Sequence, residues 1–85
     1  MKIEWTDNAI KDYQYWGSKN IDIRKRINSL VRAIVQSPFT GIGRPEILKH
    51  GFAGHWSRRI NREHRLIYRV SKNKIIIIAC RYHYK

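Results

Sequence analysis

Two links of three residues most restrict how this chain can fold. "NRE" (61–63) and "SKN" (71–73) separate three runs with strand character: "GHWSRRI" (54–60), "HRLIYRV" (64–70) and "KIIIIACRY" (74–82). A parallel crossover needs a dozen or more residues, so links this short predict antiparallel neighbours and a β-meander. The last run is apolar on both faces, the pattern of a central strand.

The first half follows a different period. "KIEW" (2–5) reads as a short opening strand. Thr6 or Asp7 caps a first helix through "NAIKDYQYW", where Ile10, Tyr13 and Trp16 or Gly17 fall at helical spacing. "GSKN" (17–20) reads as a break, with Asn20 as the next cap. From Asp22 to Gln36, Ile23, Ile27, Leu30, Val31, Ile34 and Val35 describe one helix face. Arg24, Lys25, Arg26 and Arg32 lie largely off it, as on a solvated helix surface. Pro38 closes the helical region, and "SPFTGIGRPE" (37–46) reads as loop. Two N-terminal helices followed by a meander predict an α+β domain over residues 1–85, with the helices packed on a mainly antiparallel sheet. A chain of this length buries only ~60–65% of its unfolded surface, so its ten aromatic residues must help fill the core.

Alternation sorts the sheet faces. Leu66, Tyr68 and Val70 form the apolar set that helices would cover, and Arg65, Ile67 and Arg69 point the other way. Strict alternation in the last run puts Ile75, Ile77, Ala79, Arg81 and His83 on one face. Ile76, Ile78, Cys80, Tyr82 and Tyr84 take the other. The register beside Arg65 stays open: a turn at 72–73 and a turn at 71–73 bring opposite sets next to it. A one-residue slip or a bulge decides whether His83 joins the basic face.

Charge narrows the partner. Eighteen Lys and Arg face six Asp and Glu, a formal +12, and residues 43–85 carry +9 of it. Surplus of this size costs stability through self-repulsion and points to a polyanion such as RNA or the ribosome. No run approaches the ~18–20 apolar residues of a membrane span. The opening "MKIEWTDN" lacks the apolar stretch of a secretion signal, and Cys80 has no partner for an internal disulfide. The expected location is the cytoplasm, with no membrane contact.

Between Ile23 and Arg62, nine Lys or Arg accompany one acid, Glu46. Glu46 is either a salt-bridge partner of Arg44 or Lys49, which position alone favours, or a general base held by the Pro turn before it. His83 follows a buried-looking strand and is flanked by Tyr82 and Tyr84, a setting that suits acid–base work. His50, His55 and His64 have less to recommend them, and His64 reads as a sheet-edge residue. The four histidines and one cysteine lack metal-ligand spacing, so neither a metal nor a cofactor is expected. Glu, His and surplus Arg are the minimum set for metal-free RNA cleavage. A base takes the 2′-hydroxyl proton, arginine stabilises the charged phosphorane, and an acid protonates the leaving 5′-oxygen.

"GIGRPEILKH", "GHWSRRINREHRLIYRV" and "IACRYHYK", together with "IEW" and "DYQYW", closely resemble the YoeB/Txe group of the RelE superfamily, toxins of bacterial type II toxin–antitoxin systems. The resemblance runs over essentially the whole chain. It implies a RelE-like fold and a ribosome-dependent endonuclease (an mRNA interferase) that cuts mRNA in the A site of the 70S ribosome and stops translation. Glu46 matches the family's general base, His83 its general acid, Arg65 the arginine that stabilises the transition state, and Tyr84 an aromatic that positions substrate. Lys49 and Arg59, with His50 and Arg58 beside them, match residues that bind or orient RNA. The resemblance further implies a homodimer and a cognate antitoxin of the YefM/Phd type, whose disordered acidic segment would cover a basic face. It also predicts an offset or bulge that brings His83 to the side of Arg65. Ile47 stands where close relatives carry proline, and Lys85 extends the segment after Tyr84. A non-catalytic RNA- or ribosome-binding module explains the charge and aromatics equally well, but not a carboxylate among the cations. A relative acting on DNA gyrase or another protein leaves the Glu–Arg–His–Tyr set without a use.

Overall fold

The computed structural model describes residues 1–82, with the side chain of His50 outside that description. Helices α1 (Asp7–Lys19) and α2 (Ile21–Gln36) follow strand β1 (Lys2–Trp5). Then come β2 (Glu46–Ile47), a 3₁₀ turn (His50–Phe52), β3 (Trp56–Arg59), β4 (Arg65–Ser71) and β5 (Lys74–Ala79). The five strands form one sheet in the order β1-β5-β4-β3-β2. The β2–β3, β3–β4 and β4–β5 pairs are antiparallel, as the short links require. β1 lies parallel to β5, which makes the sheet mixed and places β5 inside it.

Each helix begins where a side chain can satisfy its first amides. Thr6 Oγ1 accepts from Ala9 N at 3.1 Å, and Asn20 Oδ1 accepts from Asp22 N at 3.1 Å and Ile23 N at 3.3 Å. Caps of this kind contribute about 1 kcal/mol each. The expected break at 17–20 shrinks to Asn20 alone, which ends α1 and starts α2. Gly17 stays helical, and its missing side chain has another use. A Cβ there would meet the Arg24 guanidinium, which passes over α1 to stack on Tyr13 at 4.1 Å.

The helices cover one sheet face. Ala9 and Trp16 of α1 and Ile27, Leu30 and Ile34 of α2 pack with Leu66, Tyr68, Ile75, Ile77 and Cys80. Fully burying one such aliphatic side chain is worth ~1.5–3 kcal/mol. The β4–β5 ladder is irregular. Tyr68 pairs with Ile77 but Ile67 pairs with Ala79, so Ile78 is an extra residue, a bulge. Its carbonyl accepts from Thr6 Oγ1 at 3.0 Å and from Asn8 Nδ2 at 3.3 Å, which anchors the bulge to the start of α1. Strict alternation therefore fails in β5. Ala79 joins Ile67 on the face away from the helices, and Cys80 turns into the core with Ile75 and Ile77. The offset expected beside Arg65 is present, while His83, whose side it was to decide, lies outside the described residues. The strand stops at Ala79 instead of Tyr82, whose φ of 70° is incompatible with a continuing ladder.

Candidate active site

Register places three of the expected residues on the sheet face opposite the helices. Glu46 stands opposite Ser57, Ser57 opposite Ile67, and Arg59 opposite Arg65. Directly opposed residues share a face, so Glu46, Arg59 and Arg65 all project from this side. Two strand spacings and two residues along the strand separate the Glu46 and Arg65 backbones by about 12 Å, within converging reach of both long side chains. Glu46 is exposed, on an edge strand of two residues. The turn before it depends on Gly43, at φ 84°, where a Cβ would lie 2.7 Å from Leu30 Cδ2. The Gly43 carbonyl accepts from Arg59 N at 2.6 Å, tying this loop to β3.

Arg65 is braced at one end. Its Nη1 donates to the carbonyls of Asn61 (2.8 Å), His64 (3.1 Å) and Arg62 (3.4 Å), closing the β3–β4 turn. Among the described residues, its Nε and Nη2 have no hydrogen-bond partner, so one edge of the fork keeps donors that the protein does not use. Burial, and then the neighbouring Arg59, push the Arg65 pKa below its ordinary value, while Glu46 pulls it back up. The guanidinium stays charged. Like charges directly opposed across a ladder destabilise it, so Arg59 and Arg65 form an arrangement that an anion would relieve.

Arg58 departs from the expected RNA-binding set. It projects to the helix side and is 0 % exposed. Its Nε donates to Tyr68 Oη at 3.2 Å and Nη1 to the Ile42 carbonyl at 3.1 Å. Its Nη2 donates to the Ser37 and Thr40 carbonyls at 2.6 and 2.8 Å. Tyr68 in turn donates to the Pro38 carbonyl at 2.6 Å. Burial raises the Tyr68 pKa, and the bond from Arg58 partly offsets it. Arg58 thus holds the loop that leads to Glu46 and is closed to RNA. Lys49 is exposed in the connection after β2. The side chain of His50, and His83 and Tyr84 with their expected roles, lie outside the described residues.

The segment leaving β5 is fixed by groups that the sequence left unassigned. Trp16 Nε1 donates to the Cys80 carbonyl at 2.8 Å, and Cys80 N donates to Asp12 Oδ2 at 3.0 Å. Arg81 lies over the Tyr15 ring at 3.5 Å. Tyr82 N donates to His64 Nδ1 at 2.8 Å, and Arg65 N donates to the Tyr82 carbonyl at 2.9 Å. His64 is therefore more than an edge residue. Its adjacency to Arg65 is the one sequence signal that could have singled it out. Among the described residues, no group of three His, Cys, Asp or Glu side chains is placed to hold a metal ion, and no helix is long and apolar enough to cross a membrane.

The family described as YoeB-like toxin of bacterial type II toxin-antitoxin system matches residues 5–84. Toxin YoeB of Escherichia coli K12 is 48% identical over 84 residues, covering 99% of this chain and 100% of that protein. The structure of a YoeB/ParE toxin from Agrobacterium tumefaciens superposes with a TM-score of 0.95 at 44% identity, covering 99% and 100% of the two chains. Two Staphylococcus aureus structures, a YoeB dimer and a YoeB–YefM complex, give TM-scores of 0.91 and 0.89 at 42% and 44% identity. Each covers 99% of this chain and 98% of that one. The chain belongs to the YoeB-like toxins of bacterial type II toxin–antitoxin systems.

Proposed function

We propose that the chain is a ribosome-dependent endoribonuclease that cuts mRNA in the ribosomal A site without a metal cofactor, and that a YefM-type antitoxin neutralises it. The observation that supports this most is the β2–β4 side of one sheet face, where the carboxylate of Glu46 accompanies the opposed pair Arg59 and Arg65, while the other carboxylate of that face, Glu4, is paired with Lys74 toward the far edge. A surface built only to hold RNA gains nothing from a carboxylate, which repels phosphate. A phosphoryl-transfer site needs one. Glu46 takes the proton of the ribose 2′-hydroxyl, and the freed oxygen attacks the adjacent phosphorus. Arg65 and Arg59 carry the added charge of the phosphorane. The bond to the 5′-oxygen breaks, and His83 supplies the proton that the departing oxygen takes. Tyr84 and Lys49 orient the RNA, with His50 beside them. The products are a 2′,3′-cyclic phosphate and a 5′-hydroxyl. Translating ribosomes place the reaction in the cytoplasm. The S. aureus structures of a YoeB dimer and of a YoeB–YefM complex support a homodimer and a YefM-type antitoxin for this chain.

The test replaces one hydroxyl. Ribosome-bound mRNA carrying a 2′-deoxy nucleotide on the 5′ side of the cut should bind normally and remain whole. The all-ribose message should give a 5′-hydroxyl end. A deoxy substrate cut at the normal rate, or a 5′-phosphate product, would make water the nucleophile and remove this mechanism. Binding without cleavage of either message would leave a ribosome-binding module.

A further inference from the structure

We propose that His64 is a positioning residue for cleavage: its Nδ1, by accepting the Tyr82 amide, sets the course of the chain into His83 and Tyr84. The inference rests on the ribonuclease reading above.

Three observations carry it. Tyr82 has a φ of 70°, a left-handed conformation that an aromatic residue adopts only when its surroundings impose it. Tyr82 is 59% exposed, so burial of the residue does not impose it. The backbone contacts do: His64 Nδ1 takes the Tyr82 amide at 2.8 Å, and the amide of the next residue, Arg65 at the start of β4, holds the Tyr82 carbonyl at 2.9 Å. Tyr82 is thereby fixed, through both its amide and its carbonyl, to His64 and Arg65 at the start of β4.

The imidazole is itself held. The Trp16 and His64 rings meet edge to face at 4.7 Å, and Trp16 is locked through its Nε1 to the Cys80 carbonyl. A backbone N–H can donate to Nδ1 only if that nitrogen carries no proton, so His64 acts as the neutral tautomer protonated at Nε2. Side chains that fill the same space without an acceptor at this point would keep the packing and lose the alignment.

The experiment compares His64→Phe, His64→Gln and His64→Asn in the full chain. Phe keeps the ring, and Gln carries its amide to the position of Nε2. Asn places an amide oxygen near the position of Nδ1. Single-turnover cleavage of ribosome-bound mRNA is measured against ribosome concentration, and protection of the Tyr82 amide by hydrogen exchange. Phe and Gln should slow the saturated rate by about 10- to 100-fold while leaving the half-saturating concentration within about twofold. Both should expose the Tyr82 amide. Asn should recover rate and protection together. If Phe does not fold, Gln against Asn makes the same comparison. Wild-type rates in Gln, or Asn as slow as Gln, overturn the role of His64 while the wild type still cuts. A wild type that cuts nothing overturns the ribonuclease reading and this role with it.

Discussion

Glu46 and Arg65 differ in how their neighbours hold them, and the difference sets what each substitution should do. Glu46 is exposed on an edge strand, so Glu46→Gln should leave stability nearly unchanged. Arg65 closes the 61–64 turn through Nη1, so Arg65→Lys should lose some stability as well as the fork that can hold two phosphate oxygens. Each is expected to slow cleavage by ~10²-fold or more, read by toe-printing alongside thermal melts. Full activity in either variant would remove that residue from the chemistry. Cys80 makes the opposite case, a reactive group silenced by its surroundings. Burial, and then Asp12, push its thiol up to about 12, and its Sγ faces the Ala9 carbonyl at 3.7 Å. The neutral thiol is the form favoured by folding. Its stabilising effect is complete below the unfolded pKa and is lost as pH rises toward about 12. Iodoacetamide at pH 8 should therefore label Cys80 only as fast as the chain unfolds, and labelling should accelerate in step with loss of helical signal in urea. Fast labelling of the folded chain would contradict the burial. Alternation alone put Arg65 on the face away from the helices, and Glu46 stood out as one acid among cations although position favoured an ion pair; Arg59 entered only through the family resemblance. Arg58 was misread as an RNA contact, although alternation applied to 56–59 would have put it on the same helix-facing side as Trp56. A count of positive charge hides such a residue, because it treats every arginine as surface.

At the scale of elements, the loop 37–43 is the most exacting piece of the fold. It carries three backbone carbonyls to one buried guanidinium, and it delivers the chain to Glu46. Arg58→Ala would leave those carbonyls and the Tyr68 phenol without their donor inside the protein. The expected loss is about 3–5 kcal/mol, a fall of some ~15–30 °C in Tm for a domain of this size. Arg58→Lys should recover only part, because a point charge cannot reach partners spread around a planar fork. Melting curves decide it, and a shift of a few degrees in Arg58→Ala would show that the loop is held by other means. Elements whose ends are set by local chemistry, such as the capped helices and the tightly linked β3–β4–β5 meander, were readable in the sequence. Those set by distant partners were not. Gly17 looks like a break, and only the approach of Arg24 from α2 explains it. The resemblance called for an offset, but its place at Ile78 is invisible in four successive isoleucines, which carry no alternation, and its anchors Thr6 and Asn8 lie some seventy residues away. The parallel pairing of β1 with β5 joins the two ends of the sequence, where no link length speaks.

Across the whole molecule the dominant quantity is charge. The formal charge is +12, and among the described residues the one salt bridge is Glu4 with Lys74, at 3.0 Å on an exposed strand pair. Exposed pairs of this kind contribute about 0–1 kcal/mol, so the cations are left largely uncompensated inside the chain. Two consequences of opposite sign follow. Salt screens the mutual repulsion of the cations, over ~10 Å at 0.1 M and ~3 Å at 1 M, so the free toxin should melt at a higher temperature as sodium chloride is raised. Association with ribosomes should weaken over the same range, because each neutralised phosphate releases counterions. Log affinity should fall linearly with log salt, with a slope near −0.7 to −0.9 per phosphate contact. Arg59→Gln, which removes one of the opposed pair on the open face, should do both at once. It should stabilise the free chain slightly, by relieving the cross-strand repulsion, and shallow the salt slope by about one contact. Melts and ribosome co-sedimentation across the same salt series measure the two together. A toxin that melts unchanged while its binding ignores salt would mean that the excess charge serves neither, and the open face would lose its claim to the phosphate.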